Sequence, residues 1–164
     1  MMNILLTGGD DTDVSGLVEE VIEELEREVG GLKKQRGEDA YKIVDLTTEE
    51  EDILASEDLE DGPTVGNLHI NVDAINDVSK TAIKNAIRKG RLIVIDRISR
   101  MEMHSSAFRE GVRDAFRGGE DVIAIVDPKY VDEFEEEGKV VRLTEDNREE
   151  IKRQLVEELE REEN

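Results

Sequence analysis

Short apolar runs alternate with amphipathic stretches along most of the chain. Three of these runs are Asn3–Thr7, Leu92–Ile95 and Val122–Val126, and the last two are uniformly apolar. Uniform runs of this length are typical of strands buried on both faces. Between the runs, apolar residues recur at spacings of three and four, which predicts helices that pack through one face. Strands alternating with helices predict an α/β fold with a mostly parallel sheet.

The pattern also sets the expected element boundaries. A first helix is predicted from Leu17 to Val29, ended by Gly30-Gly31. Tyr41–Leu46 reads as the second strand, and the acidic stretch from Asp45 to Asp61 as a hairpin or loop excursion. The remaining predictions are a last strand and four helices: Val140–Leu143, then Val72–Lys89, Phe108–Phe116, Tyr130–Glu137 and Ile151–Leu159. We expect one domain over residues 1–164, with a frayed acidic tip at about 157–164.

The net charge of the chain limits the classes of molecule that it could bind. The chain has 43 acidic and 22 basic residues, a formal net charge of −21. Such a surface argues against nucleic acid and against anionic membranes, whereas the acidic runs would suit a basic protein partner. The charge also suggests a hot or salt-rich habitat.

With no cysteine, no signal peptide and no apolar run of transmembrane length, we expect a cytoplasmic protein of undetermined oligomeric state.

The segment after the first strand has the layout of a phosphate-binding loop, in which a strand, a glycine turn and a helix follow one another. A working loop reads G-x-x-x-x-G-K-[ST], with the lysine balancing phosphate charge and the hydroxyl binding Mg²⁺. Asp96 follows another predicted strand, so it is expected at the same sheet edge. The eight loop positions here are Gly8, Gly9, Asp10, Asp11, Thr12, Asp13, Val14 and Ser15.

Several longer blocks carry a family resemblance: "LLTGG…LVEEVIEEL", "TVGNLHINVDAI", "RLIVIDRISRMEMHSSAFREGV" and "VVRLTEDNREEI". Together they resemble the small P-loop nucleoside-triphosphatases of thermophilic archaea and bacteria, which have a human relative. The resemblance implies a three-layer P-loop sandwich, with a mostly parallel sheet of five or more strands and a small hairpin excursion. It also implies hydrolysis of several nucleoside triphosphates, with Mg²⁺ held by Ser15 and Asp96.

The chain departs from that family at the positions that carry the chemistry. Asp13 stands at the second loop glycine and Val14 at the lysine, while Arg97 replaces the glutamate thought to activate water. Arginine does not deprotonate, so it cannot act as a general base. The His-Arg pair that the family tends to carry after its fourth strand is here Asp127-Pro128. A carboxylate about 5 Å from a phosphate charge costs roughly 3 kcal/mol at an effective dielectric constant of 20, so we expect no tight ATP binding in the family's mode.

The first interpretation is therefore a degenerate homologue that has lost hydrolysis and acts as a binding or regulatory protein. On this interpretation we expect no catalytic residue and no firm cofactor. We also hypothesise that Arg97 pairs with Asp10, Asp11 or Asp13 and fills the phosphate site from within.

Two alternatives stay open. The first is a residual nucleoside-triphosphatase that uses Ser15, Asp96, Mg²⁺ and ATP or GTP. The second is a cation-binding or structural acidic protein, because residues 11–16 match the opening of a calcium loop with Glu19 at its ninth position. Its twelfth position, however, is Ile22 rather than an acid. A simpler interpretation of the loop is a helix start with Asp13 or Ser15 as N-cap.

Overall fold

The computed structural model describes residues 2–9 and 12–160, in which nine strands form one mixed sheet. The strand order is β5-β6-β4-β3-β2-β7-β8-β1-β9. The strands are β1 (Asn3–Gly8), β2 (Val29–Arg36), β3 (Ala40–Asp45), β4 (Glu51–Ser56), β5 (Thr64–Val65), β6 (Leu68–Ile70), β7 (Leu92–Ile98), β8 (Val122–Val126) and β9 (Lys139–Leu143).

The sheet has a parallel half and an antiparallel half. Strands β2, β7, β8, β1 and β9 run parallel, and every neighbouring pair among them is hydrogen-bonded. Strands β3, β4, β6 and β5 extend the sheet from β2 in antiparallel pairs. The five-stranded parallel part and the hairpin excursion are thus both confirmed.

Helices cover the two faces of the parallel half and complete three layers. On one face, α1 (Val14–Leu25) and α5 (Arg148–Glu160) share an apolar cluster that includes Leu17 and Leu155. On the other face, α2 (Val72–Arg88) and α3 (Ser106–Arg117) share a second cluster that includes Ile83 and Val112. Within the described residues, no helix is long and apolar enough to cross a membrane.

The predicted end of the first helix is wrong. Helix α1 stops at Leu25, and β2 begins at Val29. The glycine pair lies inside β2, where it permits close approach rather than stopping a helix. A Cβ on Gly31 (φ +106°) would lie 2.1 Å from the carbonyl oxygen of Val94, and a Cβ on Gly30 would lie 2.6 Å from the Cβ of Ala86. A strand that packs this tightly against β7 and α2 needs glycine at both positions.

The structure corrects one further prediction and leaves part of another outside the described residues. The helix expected over Tyr130–Glu137 is α-helical only as α4 (Val131–Phe134), with 3₁₀ turns at Pro128–Tyr130 and Glu135–Glu137. Helix α5 continues through Glu160, and Leu159 near its end is fully buried. Residues 161–164 of the tip expected to fray lie outside the described residues.

Candidate functional site

Three chain segments converge at the carboxyl edge of the parallel strands: the loop after β1, the end of β7 and the segment after β8. They enclose a cavity of about 450 Å³. The topology rule for parallel sheets thus brings the loop and the β7 end together as the sequence predicted. The lining residues are Gly8, Gly9, Asp13, Val14, Arg97, Asp127, Pro128 and Lys129.

The loop after β1 closes into the start of α1 through local hydrogen bonds. Thr12 donates to the carbonyl oxygen of Gly9 from its backbone nitrogen (3.1 Å) and from its hydroxyl (2.7 Å). Asp13 is the N-cap of α1, and its carboxylate accepts from the backbone nitrogen of Gly16 at 3.1 Å. Its backbone is left-handed (φ 45°, ψ 63°), a conformation that favours glycine and that aspartate tolerates. The position that the resemblance assigns to the second glycine thus holds an aspartate in a conformation that favours glycine.

Ser15 and Asp96 lie against each other at the base of the site. The Ser15 hydroxyl donates to Asp96 Oδ1 at 3.1 Å. Burial at the end of β7 raises the pKa of Asp96, while the Ser15 hydrogen bond and the charges of Arg97, Lys33 and Lys34 act in the opposite direction. The two oxygen groups that the resemblance assigns to Mg²⁺ are thus adjacent and hydrogen-bonded to each other.

Arg97 lies across this pair. Its Nη2 donates to the Ser15 hydroxyl at 3.1 Å, and its Nε is 3.7 Å from Asp96 Oδ1. Its Nη1 is 3.7 Å from Asp127 Oδ1, in the segment after β8. Arg97 thus pairs with Asp96 and Asp127, which the hypothesis did not name, and no ion pair joins it to Asp13 within the described chain. The other two hypothetical partners, Asp10 and Asp11, lie outside the described residues.

These residues do not fit a divalent cation while Arg97 keeps this position. Ser15 already donates to Asp96 and accepts from Arg97. Two unit charges 4 Å apart interact with roughly 4 kcal/mol at an effective dielectric constant of 20, and a doubly charged ion doubles that repulsion from the guanidinium. The calcium-loop alternative begins at Asp11, which lies outside the described residues, so the structure leaves it open.

Arg148 is a site residue that the sequence reasoning missed. From the first turn of α5, its Nη1 donates to the carbonyl oxygens of Thr12 (3.0 Å) and Asp13 (3.1 Å). Its Nη2 donates to Glu20 of α1 at 2.7 Å, and Lys152 contacts the same carboxylate at 3.2 Å. Arg148 therefore fixes the backbone of the loop from outside the cavity. Its only sequence signal was its place in the block VVRLTEDNREEI, one of those that carry the family resemblance.

A buried ion pair supports the turn after Arg97. Glu102 is 1% exposed, and one of its carboxylate oxygens accepts from the backbone nitrogen of Ser99 at 2.8 Å. The other lies 3.3 Å from the ammonium of Lys34, which donates to the Ser99 hydroxyl at 2.7 Å. Lys34 could not be placed from the sequence because β2 was not predicted.

The comparisons with known proteins agree with this layout. A family model described as NTPase matches residues 3–156. The nucleoside-triphosphatase THEP1 of Thermococcus kodakarensis is 34% identical over 158 residues, covering 90% of this chain and 88% of the relative. The protein of the same name from Methanocaldococcus jannaschii is 29% identical over 164 residues, covering 94% and 95%.

Two solved structures share the fold. The crystal structure of THEP1 from the hyperthermophile Aquifex aeolicus superposes with a TM-score of 0.81 at 24% identity, covering 97% of this chain and 99% of that one. The solution structure of a human cancer-related nucleoside triphosphatase gives 0.77 at 18% identity, covering 100% of both chains. At these identities the structures support the P-loop NTPase-like fold alone. The family model and the relatives show that this chain belongs to the NTPase family of the THEP1 nucleoside-triphosphatases.

Proposed function

We propose that this family member has lost Mg²⁺-dependent hydrolysis of nucleoside triphosphates and acts as a binding or regulatory protein. The observation that carries the proposal is the position of Arg97, whose guanidinium is bonded to Ser15 and lies 3.7 Å from Asp96. A fixed cation stands beside the two groups that would hold the metal. The chain thus supplies internally the positive charge that the metal would bring.

The surrounding positions support the same conclusion. Val14 lines the cavity where the family's lysine would stand, and it offers neither charge nor hydrogen bond. Asp13 and Asp127 add two carboxylates to the cavity wall, which disfavours a polyphosphate. The position of the proposed water-activating glutamate is Arg97, which cannot accept a proton. The residues that would compensate phosphate charge, bind the metal and accept a proton are therefore all changed.

Phosphate release tests the proposal. The full chain is incubated with Mg²⁺ and each of ATP, GTP, CTP and UTP over a range of temperatures. We expect release no faster than in the protein-free control, and no Mg²⁺-dependent rise of the melting temperature with nucleotide. For scale, a ligand at a hundredfold excess over its Kd stabilises by about 2.7 kcal/mol. Release that requires Mg²⁺ and disappears in Asp96→Asn would refute the proposal, because a contaminating enzyme would not respond to that substitution.

One observation favours a second candidate, an active Mg²⁺-dependent nucleoside-triphosphatase. The Ser15–Asp96 hydrogen bond keeps the two metal-binding groups of the family together. This candidate requires Arg97 to leave the pair when the metal and nucleotide arrive. It predicts hydrolysis that is faster in Arg97→Ser than in the unchanged chain, whereas our proposal predicts no hydrolysis by the unchanged chain.

A further inference from the structure

We propose that the exposed face of α2 is a docking surface for a second copy of this chain, which binds in antiparallel orientation to form a symmetric dimer. The charge pattern of this face identifies the partner, because the pattern is complementary to itself. The face lies on the opposite side of the sheet from α1 and α5. The inference goes beyond the proposed function, since it uses no residue of the cavity at the carboxyl edge.

The exposed face of α2 consists almost entirely of charged side chains. The helix packs on the sheet and on α3 through apolar residues such as Ile75 and Ile83. At 3.6 residues per turn, the exposed residues fall within an arc of about 100°. These residues, which we call the α2 charge stripe, are Asp73, Asp77, Lys80, Thr81, Lys84 and Arg88.

The order of the charges along the stripe is self-complementary. Its two acids lie in the first half of α2 and its three bases in the second half. The midpoint between Asp73 and Arg88 is also the midpoint between Asp77 and Lys84, and it adjoins Thr81. A second copy turned by 180° about that point therefore places these acids opposite these bases. A two-fold axis produces each pairing twice.

The charges of the stripe have no partners within the part of the chain that the structure describes. None of the five charged side chains forms an ion pair or a hydrogen bond there, whereas the three arginines of the neighbouring α3 all pair with glutamates. Like charges also stand four positions apart, at Asp73 and Asp77 and again at Lys84 and Arg88, which destabilises a helix. The opposite charges of a second copy would relieve this repulsion.

The helix dipole accounts for only part of this pattern. It favours acids in the first turn and bases in the last turn, which covers Asp73 and Arg88. Asp77, Lys80 and Lys84 lie in the middle of the helix, where the dipole has little effect. The separation of the charges into an acidic and a basic half therefore needs another reason.

The net charge of the chain opposes self-association least at this face. Three bases against two acids give the stripe a net charge of +1, whereas the whole chain carries −21. Exposed charges farther apart than roughly 8 Å are largely screened at physiological salt, so the stripe dominates the interaction between two copies in contact through α2.

The size of the surface sets the strength of the dimer. Helix α2 has 17 residues, and at 1.5 Å per residue its face is about 25 Å long. Stable complexes bury roughly 800 Å² per partner, more than one helix face of this length offers. Exposed ion pairs also contribute little individually. We therefore expect a weak dimer that forms at high protein concentration, and not an obligate one.

Charge exchange tests the inference, with sedimentation equilibrium of the full chain measured over a concentration series at physiological salt. Asp77→Lys alone or Lys84→Glu alone puts like charges opposite each other and should weaken the dimer at least tenfold. The double variant Asp77→Lys/Lys84→Glu should dimerise like the unchanged chain. An equimolar mixture of the two single variants should form a heterodimer, because each supplies the charge that the other lacks.

Two matched controls make the same changes of net charge on other surfaces. Glu23→Lys on α1 and Arg142→Glu on β9 replace exposed residues outside the stripe and should dimerise like the unchanged chain. Circular dichroism melting checks that every variant is folded. The mixture of single variants also separates lost charge complementarity from lost structure, since a misfolded chain would not regain binding.

Cross-linking locates the interface. The chain has no cysteine, so each introduced cysteine is its only thiol. With a short bifunctional maleimide, Thr81→Cys beside the two-fold axis should give a linked dimer. Gln154→Cys, exposed on α5, should give far less.

Three results would overturn the inference: a monomer at every concentration, a double variant no better than the single variants, or a mixture of single variants that does not associate. Self-association that is unchanged in Asp77→Lys and in Lys84→Glu would place the interface elsewhere and overturn the assignment to α2. Phosphate release has no bearing on these outcomes, so the failure of this inference is distinguishable from that of the proposed function.

Discussion

Arg97 and Ser15 are 82 positions apart in the chain, and the guanidinium of the first donates to the hydroxyl of the second. The contact puts a positive charge beside Asp96, where the family resemblance implies a metal site. Removing the charge should open the pair to a divalent cation. We expect Arg97→Ser to gain a Mg²⁺-dependent rise in melting temperature that the unchanged chain lacks.

The matched control for this prediction is Arg100→Ser, which removes an exposed arginine nearby. It should respond to Mg²⁺ as the unchanged chain does. A second control, Arg97→Ser/Asp96→Asn, should lose the gain because a metal ligand is removed. If Arg97→Ser shows no Mg²⁺ effect, repulsion by the guanidinium is not what keeps the metal out.

Arg148 should be important for the stability of the loop. It bonds two loop carbonyls and the carboxylate of Glu20, and hydrogen bonds to charged groups contribute about 1.5–3 kcal/mol. We expect Arg148→Met to lower the free energy of unfolding in urea by about 2 kcal/mol, because two carbonyl oxygens lose their donor. Arg142→Met is the control, since Arg142 is exposed on the edge strand β9.

Hydrogen exchange distinguishes a local from a general effect of this substitution. The amides of Thr12 and Gly16 should exchange faster in Arg148→Met, while those of β8 should change only with global stability. Equal acceleration at all of these amides would show that Arg148 supports the fold at large and not the loop.

The contact between Glu20 and α5 should make stability depend on pH. The hydrogen bonds from Arg148 and then Lys152 lower the pKa of Glu20 below its ordinary 4.5. A lowered pKa means that the contact contributes stability above the unfolded-state value and loses it as pH falls through the folded-state value. Glu20→Gln should therefore melt at a lower temperature than the unchanged chain at neutral pH, and the difference should shrink in acid.

The control for this prediction is Glu23→Gln, on the same helix. Glu23 is exposed and makes no ion pair within the described residues. Its substitution should leave the melting temperature nearly unchanged at neutral pH. A Glu20→Gln difference that persists at acid pH would assign the effect to packing rather than to charge.

Alanine substitutions at two glycines with positive φ distinguish the energetic cost of backbone strain from that of a steric clash. Gly66 (φ +62°) has nothing within 4 Å of an added Cβ, whereas at Gly31 the same atom would lie 2.1 Å from the Val94 carbonyl oxygen. Gly66→Ala should cost about 1–2 kcal/mol, the cost of a left-handed residue. Gly31→Ala should cost more, on the order of 4 kcal/mol, because β2 must move away from β7. Urea unfolding measures both, and equal losses would mean that β2 adjusts freely.

The sequence predicted the parallel strands of the sheet well because their signal is local. Leu92–Ile95 and Val122–Val126 are continuous apolar runs, and both lie in buried strands. Strand β2 gave no such signal, since Lys33, Lys34 and Arg36 occupy its second half. Its glycine pair was interpreted as the end of a helix. In the structure, these glycines let β2 approach Ala86 and Val94, which lie far away in sequence.

The site was predictable in its location but not in its contacts. The parallel topology alone predicted that the loop and Asp96 lie close together, because parallel strands end at one edge of the sheet. Of the three loop aspartates proposed as partners of Arg97, Asp13 does not pair with it, because the Asp13 carboxylate caps α1, while Asp10 and Asp11 lie outside the described residues. Arg148 contacts backbone carbonyls, which every residue has, so no side-chain pattern could identify its target.

The position of β1 has a consequence for how the chain folds. This first strand lies between β8 and β9, whose residues begin at positions 122 and 139. On the ribosome, β1 leaves the exit tunnel long before either neighbour has been made. Sheets that depend on such distant pairings fold slowly, since the chain must close a large loop first. We therefore expect β1 of the nascent chain to wait, with its apolar residues Ile4–Leu6 uncovered, until β8 and β9 have been made.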